Sequence, residues 1–136
     1  AKLMPTLEED FFGNPTGSLM TVRCFPWTWN NKLMLIGDAA HAVVPFYGQG
    51  MNCGFEDCVE LNSLINEFNH DRDQIMPAFE KQRKPNSDAI ADLALSNFIE
   101  MRDLVGHPDF LLRKKIEARF SERHPDKWTP LYTMVT

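Results

Sequence analysis

The stretch KLMLIGDAAHAVVPFYGQGMNCGFED, residues 32–57, decides how this chain is read. It opens on KLMLI, a short continuous apolar run of the kind expected of a strand buried on both faces. Gly37 and Asp38 end the run, at the C-terminal end of the strand, where open α/β sheets place their ligands. Ala39 and Ala40 carry almost no side chain, which leaves room for a ligand close to the backbone. An apolar loop, residues 43–47, leads to Gly48-Gln49-Gly50, which opens a helix. Glycines there let the first-turn amides face outward. Those amides lack partners inside the helix, and the macrodipole adds about half a positive charge. Such an end suits an anion or a developing negative charge. The spacing is not a Walker loop, because Met-Asn-Cys follows where Lys-Ser/Thr is required, and it matches a dinucleotide fingerprint poorly.

Working outward, residues 18–24 (SLMTVRC) alternate as a strand does, and Pro26 and Asn30-Asn31 mark a turn before the next one. Two strands this short leave open edges and do not complete a sheet. Downstream the period changes. Residues 51–68 read as a helix with Met51, Phe55, Cys58, Leu61, Leu64, Ile65 and Phe68 on its apolar stripe. Gly54 within it implies a close approach to the backbone or a helix–helix contact. A second helix spans 71–84 and is interrupted by Pro85. Asn86 or Ser87 caps a third, which runs to about residue 105, where Gly106-His107-Pro108 ends it. Asp109 caps a fourth, 110–122, with Leu112, Ile116 and Phe120 on one stripe, and a short apolar tail closes the chain.

With 136 residues, 43% of them hydrophobic, the chain suffices for one core and not two. A formal charge of −5 argues against a nucleic-acid or anionic-lipid surface. No apolar run reaches the ~18–20 residues of a membrane-spanning helix, and the first ten residues lack a signal-peptide pattern. Cys24, Cys53 and Cys58 show no Cys-x-x-Cys spacing, so neither a disulfide framework nor a metal site is expected.

Gly37-Asp38-Ala39-Ala40-His41, a short apolar loop and Gly48-Gln49-Gly50-Met51-Asn52 resemble the second flavin-binding signature of FAD-dependent aromatic hydroxylases. Residues 45–52 (PFYGQGMN), 54–58 (GFEDC), 96–102 (SNFIEMR) and 130–136 (PLYTMVT) narrow the resemblance to the kynurenine 3-monooxygenase family, from about residue 17 onward. The resemblance implies an α/β fold: the C-terminal part of a two-domain FAD-dependent hydroxylase, short strands followed by a mainly helical region. Residues 1–57 would end the substrate-domain sheet and supply the second FAD-binding segment, and 58–136 would form a helical region lining the substrate pocket. It implies FAD as cofactor, NADPH and O2 as co-substrates, and conversion of L-kynurenine to 3-hydroxykynurenine. By the same resemblance Asp38 accepts hydrogen bonds from the ribityl chain. The amides of Gly50, Met51 and Asn52 face the pyrimidine edge of the flavin, where a helix end stabilises negative charge. Pro45, Phe46 and Tyr47, within the 45–49 loop, roof the substrate cavity and keep water from the reacting flavin. Asn97 and Tyr132 hold the amino-acid end of kynurenine.

Asn97 also stands out from its pattern, an amide on the stripe Ile90, Leu93, Ala94, Met101 and Leu104. Buried without partners it would cost about 1–3 kcal/mol, so it bonds either a loop carbonyl or a ligand. No side chain reads as a nucleophile or metal ligand. His41 is read as ordering its turn, Lys81-Gln82-Arg83-Lys84 as a solvated helix end, and Glu56 and Asp57 as pointing apart. Trp27 and Trp29 read as packing residues. The G-x-G-x-x-G turn that holds the FAD pyrophosphate does not occur, nor do the arginine and second tyrosine for the substrate carboxylate. The expectation is therefore a chain completed by an upstream part of the same polypeptide and inactive alone. It would be cytoplasmic in a bacterium, or at the mitochondrial outer membrane in a eukaryote, with no anchor in these residues. A hydroxylase of a phenolic substrate and a non-catalytic helical binding module are the alternative readings.

Overall fold

The structure is a computed structural model and describes residues 4–135, the side chains of Tyr132 and Val135 excepted. It is mainly helical, with a small two-stranded antiparallel sheet. A short helix α1 (Leu7–Gly13) precedes strands β1 (Thr28–Trp29) and β2 (Leu33–Met34). Helix α2 (Asp38–His41) is a single turn, and α3 (Gly50–Glu67) and α4 (Arg72–Ile99) form an antiparallel pair. Then come a π-helical turn at Glu100–Leu104, α5 (Pro108–Arg123) and α6 (Leu131–Val135).

The hairpin forms where the asparagine pair calls for it. Asn30 and Asn31 sit at φ 48° and 52°, a left-handed geometry that asparagine tolerates, and pair Trp29 with Leu33. The strand expected at 18–24 does not form. That segment has no regular secondary structure and is tied by Val22 N–H to the Ala42 carbonyl at 2.8 Å, and Leu19, Met20 and Val22 are exposed. Residues 32–36 are likewise not a strand buried on both faces: only Leu33 and Met34 pair, and Leu33 and Ile36 are exposed. No second sheet neighbour stands on either side among the described residues.

The core joins Trp27, Ala40, Leu64, Ile75 and Phe79, so the hairpin and the α2 turn rest on the α3–α4 pair. Trp27 packs on Phe79 with ring centroids 6.3 Å apart. Glu80 reaches up from α4 to accept hydrogen bonds from the amides of Trp27 and Thr28. Trp29, by contrast, is exposed.

The helical pattern departs from expectation in three places. In α3 the inward residues are Cys53, Asp57 and Leu64, whereas Met51 and Phe55 face outward, so the stripe is rotated at its N-terminal half. A Cβ at Gly54 would meet nothing within 4 Å. Pro85 does not interrupt the helix: α4 runs unbroken through Pro77 and Pro85, with Asp71 as N-cap. Each proline removes one backbone hydrogen bond, and the buried run of Phe79, Arg83, Ser87, Ala91 and Ala94 carries α4 through that loss. Finally, Leu112, Ile116 and Phe120 on α5 are exposed, and His107 rather than Asp109 is its N-cap.

Candidate functional site

Gly37 is the first element of the site. It sits at φ 57° and ψ −143°, a backbone conformation that L side chains rarely adopt, and its carbonyl accepts from Ala40 and His41 N–H, both at 2.9 Å. The chain thereby turns into α2 and leaves Asp38 exposed at its first position. Gly48, at φ 67°, makes the second bend, closed by its N–H to the Pro45 carbonyl at 3.2 Å. Helix α3 then starts with Gln49 as N-cap, no acidic residue in the first turn, and its first intrahelical bond from Cys53 N–H to the Gln49 carbonyl. The amides of Gly50, Met51 and Asn52 precede that bond, so they are the orphan donors that a helix start offers. The Gln49 side chain accepts from the side-chain Nδ2 of Asn52 at 2.7 Å and makes no hydrogen bond to these backbone amides.

The loop between the two bends carries Pro45, Phe46 and Tyr47. Pro45 is exposed, and Phe46 and Tyr47 are half-buried. Phe46 stacks on Phe98 with centroids 4.7 Å apart, and its carbonyl accepts from Asn97 Nδ2 at 2.7 Å. Asn97 thus bonds a loop carbonyl, as one of the two readings of its stripe required. Because a carbonyl can only accept, this bond also fixes which way the amide points. Tyr47 and Asn97 line a cavity of about 380 Å3 together with Glu100, Trp128, Pro130 and Leu131. On the Phe46 side lies a second, apolar cavity of about 280 Å3, walled by Leu19, Val44, Leu95 and Phe98. A third, of about 390 Å3, lies beside the start of α3 between Gln49, Asn52, Ile90 and Met134. Tyr132 belongs to α6, one residue beyond the cavity-lining Leu131, but its side chain lies outside the described residues. Tyr47 and Asn97 therefore share one cavity, whereas Asp38 stands apart on the α2 turn.

Sequence reasoning missed the buried cluster beneath. Asp57, fully buried, accepts from Gly37 N–H at 2.9 Å and Arg83 Nε at 2.8 Å, and lies 2.6 Å from His41 Nε2. Arg83 is 1% exposed, so it is no part of a solvated run. It also pairs with Glu56 at 2.7 Å and donates to the Cys53 carbonyl at 3.3 Å. Burial disfavours the Asp57 carboxylate, but Arg83, then the Gly37 amide and His41, hold its pKa below the ordinary range. Burial likewise opposes the Arg83 charge, and Asp57 and Glu56 outweigh it to raise the pKa. Burial also pushes the Cys53 thiol up, against the pull of Arg83. His41 does order its turn, as expected, but through Asp57 rather than beside Asp38. The available signal was phase: Cys53, Asp57 and Leu64 fall on one helical face.

The FAD binding domain pattern matches residues 19–94, which span both bends, the loop and the buried cluster. Kynurenine 3-monooxygenase of Flavobacterium johnsoniae is 55% identical over 99% of this chain. The proteins of that name from Myxococcus xanthus and Dictyostelium discoideum are 49% and 44% identical over 98% and 99% of it. The chain spans about three-tenths of the length of these relatives, 30%, 29% and 32%.

Proposed function

The chain belongs to the FAD binding domain family, and we propose that it is one wall of the active site of an FAD- and NADPH-dependent kynurenine 3-hydroxylase. The similarity to kynurenine 3-monooxygenases over nearly the whole chain carries this reading. The residues present fit the flavin. Two bends at positive φ and a helix start free of acidic side chains form a cradle that suits an electron-rich ring edge. Asp38, exposed at the first bend, would accept from the ribityl hydroxyls, and the Gly50, Met51 and Asn52 amides would face the pyrimidine edge. When bound, FAD supplies the redox and oxygen-transfer chemistry, with NADPH as reductant and O2 as oxidant.

The chain's own residues bind and shield. Phe46, stacked on Phe98, and Pro45 and Tyr47 beside it close the loop over the substrate and exclude water. Asn97 does two things: Nδ2 anchors the loop through the Phe46 carbonyl, and the rest of the amide faces the amino-acid end of kynurenine with Tyr132. The cavity shared by Tyr47 and Asn97 supports that placement. The rest of the polypeptide supplies the remaining flavin and substrate contacts, in a second domain, so this chain alone is inactive. The exposed Met51, Phe55 and Val59 on α3 offer that remainder an apolar face.

Flavin content and kynurenine-dependent NADPH oxidation, compared between the full-length parent and residues 1–136 alone, test the reading. A yellow, active parent beside a colourless, inactive segment is expected. A parent that holds FAD yet ignores kynurenine would move the substrate to another aromatic, and one without flavin would end the reading.

A further inference from the structure

We propose that Asp57, buried beneath the flavin cradle, is the residue that positions it. The inference rests on the FAD reading above and extends it to a residue in the helix interior. Both polar groups of Gly37 are committed: its carbonyl caps α2, and its N–H is held by Asp57 Oδ2 at 2.9 Å. The same oxygen lies 2.6 Å from His41 Nε2 at the other end of α2, so one carboxylate grips both ends of the turn that presents Asp38. Asp57 belongs to α3, whose first-turn amides are the other half of the flavin cradle. It therefore locks the ribityl partner and the helix start into one rigid unit. Oδ1 takes Arg83 Nε from α4 at 2.8 Å, and Arg83 is fixed in turn by Glu56 and the Cys53 carbonyl. Both oxygens of the carboxylate are thus held, Oδ2 by Gly37 and His41 and Oδ1 by Arg83, which restrains it from swinging.

An asparagine at 57 keeps the shape but turns one acceptor into a donor facing donors, so either Gly37 or Arg83 loses its partner. Hydrogen bonds to a charged group lost in this way translate to about a ten- to hundredfold change in an equilibrium constant. The test is reconstitution of the full-length apoprotein with FAD, titrated by quenching of flavin fluorescence. Asp57→Asn should weaken FAD binding by about ten- to hundredfold and shift the absorbance bands of the flavin that remains bound. Apoprotein folding is followed separately by circular dichroism. A folded Asp57→Asn protein with unchanged FAD affinity and spectrum would overturn the proposal and leave Asp57 a purely structural residue. Should that variant not fold, Arg83→Lys decides by the same two readouts, since it keeps the charge and loses the fork that orients the carboxylate. A wild-type parent that takes up no flavin would remove the FAD reading itself, and this inference with it.

Discussion

The two ends of α4 meet surroundings of opposite character. Near Phe79 and Arg83 the helix is sealed against Trp27, Leu64 and Asp57, and apolar packing and buried ion pairs sit side by side. Near Asn97 it loosens into the π-helical turn, held by one hydrogen bond to the Phe46 carbonyl and by ion pairs that solvent reaches. Beyond it, the apolar side chains of α5 are exposed. The difference teaches where each part of the site draws its rigidity. The proposed flavin cradle rests on the sealed end, whose geometry is over-determined. The proposed substrate side rests on the open end, where a ligand and the rest of the polypeptide have room to contribute.

The contrast breaks most visibly at Arg83. Replacing it by methionine leaves Asp57 buried without its cation, and should cost about 3–5 kcal/mol in urea unfolding followed by tryptophan fluorescence. A loss under about 1 kcal/mol would mean the sealed end is held by Trp27 and Phe79 alone. Acid probes the same end. Because the folded pKa of Asp57 lies below that of the unfolded carboxyl, about 3.9, its stabilisation is present above that value. It is lost as pH falls through the depressed folded pKa, since the unfolded chain takes up the proton first. Unfolding midpoints measured from pH 6 down to pH 2 should therefore drop more steeply in the wild type than in Asp57→Asn.

At the open end the effects are smaller and fall on binding. Asn97→Ala in the full-length enzyme should raise KM for kynurenine about tenfold while FAD content stays near that of the wild type. An unchanged KM would reduce Asn97 to a loop anchor. The smallest effect is expected at Lys114, whose ion pair with Glu100 spans 3.1 Å at a half-exposed site. Lys114→Met should change stability by no more than about 0.2–1 kcal/mol, and a larger loss would show that the open end is more tightly braced than it looks.

The sequence by itself determined the punctuation of this protein. Gly37 and Gly48 stand where φ must be positive, Asn30-Asn31 where the hairpin turns, and Gly50 where the long helix opens. These features are local, because each follows from what one residue's backbone tolerates. Asn97 was legible as an amide in need of a partner, and the partner is the Phe46 carbonyl. Residues 18–24 show the limit of such reading: alternation implies a strand only where a neighbour completes the ladder, and none stands there among the described residues. Tertiary structure alone decided the face of α3 and the fate of Pro85. A periodicity that counts apolar residues places Met51 and Phe55 inside, yet Asp57 takes the interior because Gly37 and His41 at the two ends of the α2 turn and Arg83 on α4 satisfy it. The helix break that Pro85 favours locally, by about 3 kcal/mol, yields to packing along the buried face from Phe79 to Ala94. Both outcomes depend on partners distant in the chain: those of Asp57 lie 16 to 26 residues away, and Phe79 on α4 packs on Trp27, so no window of local sequence contains them.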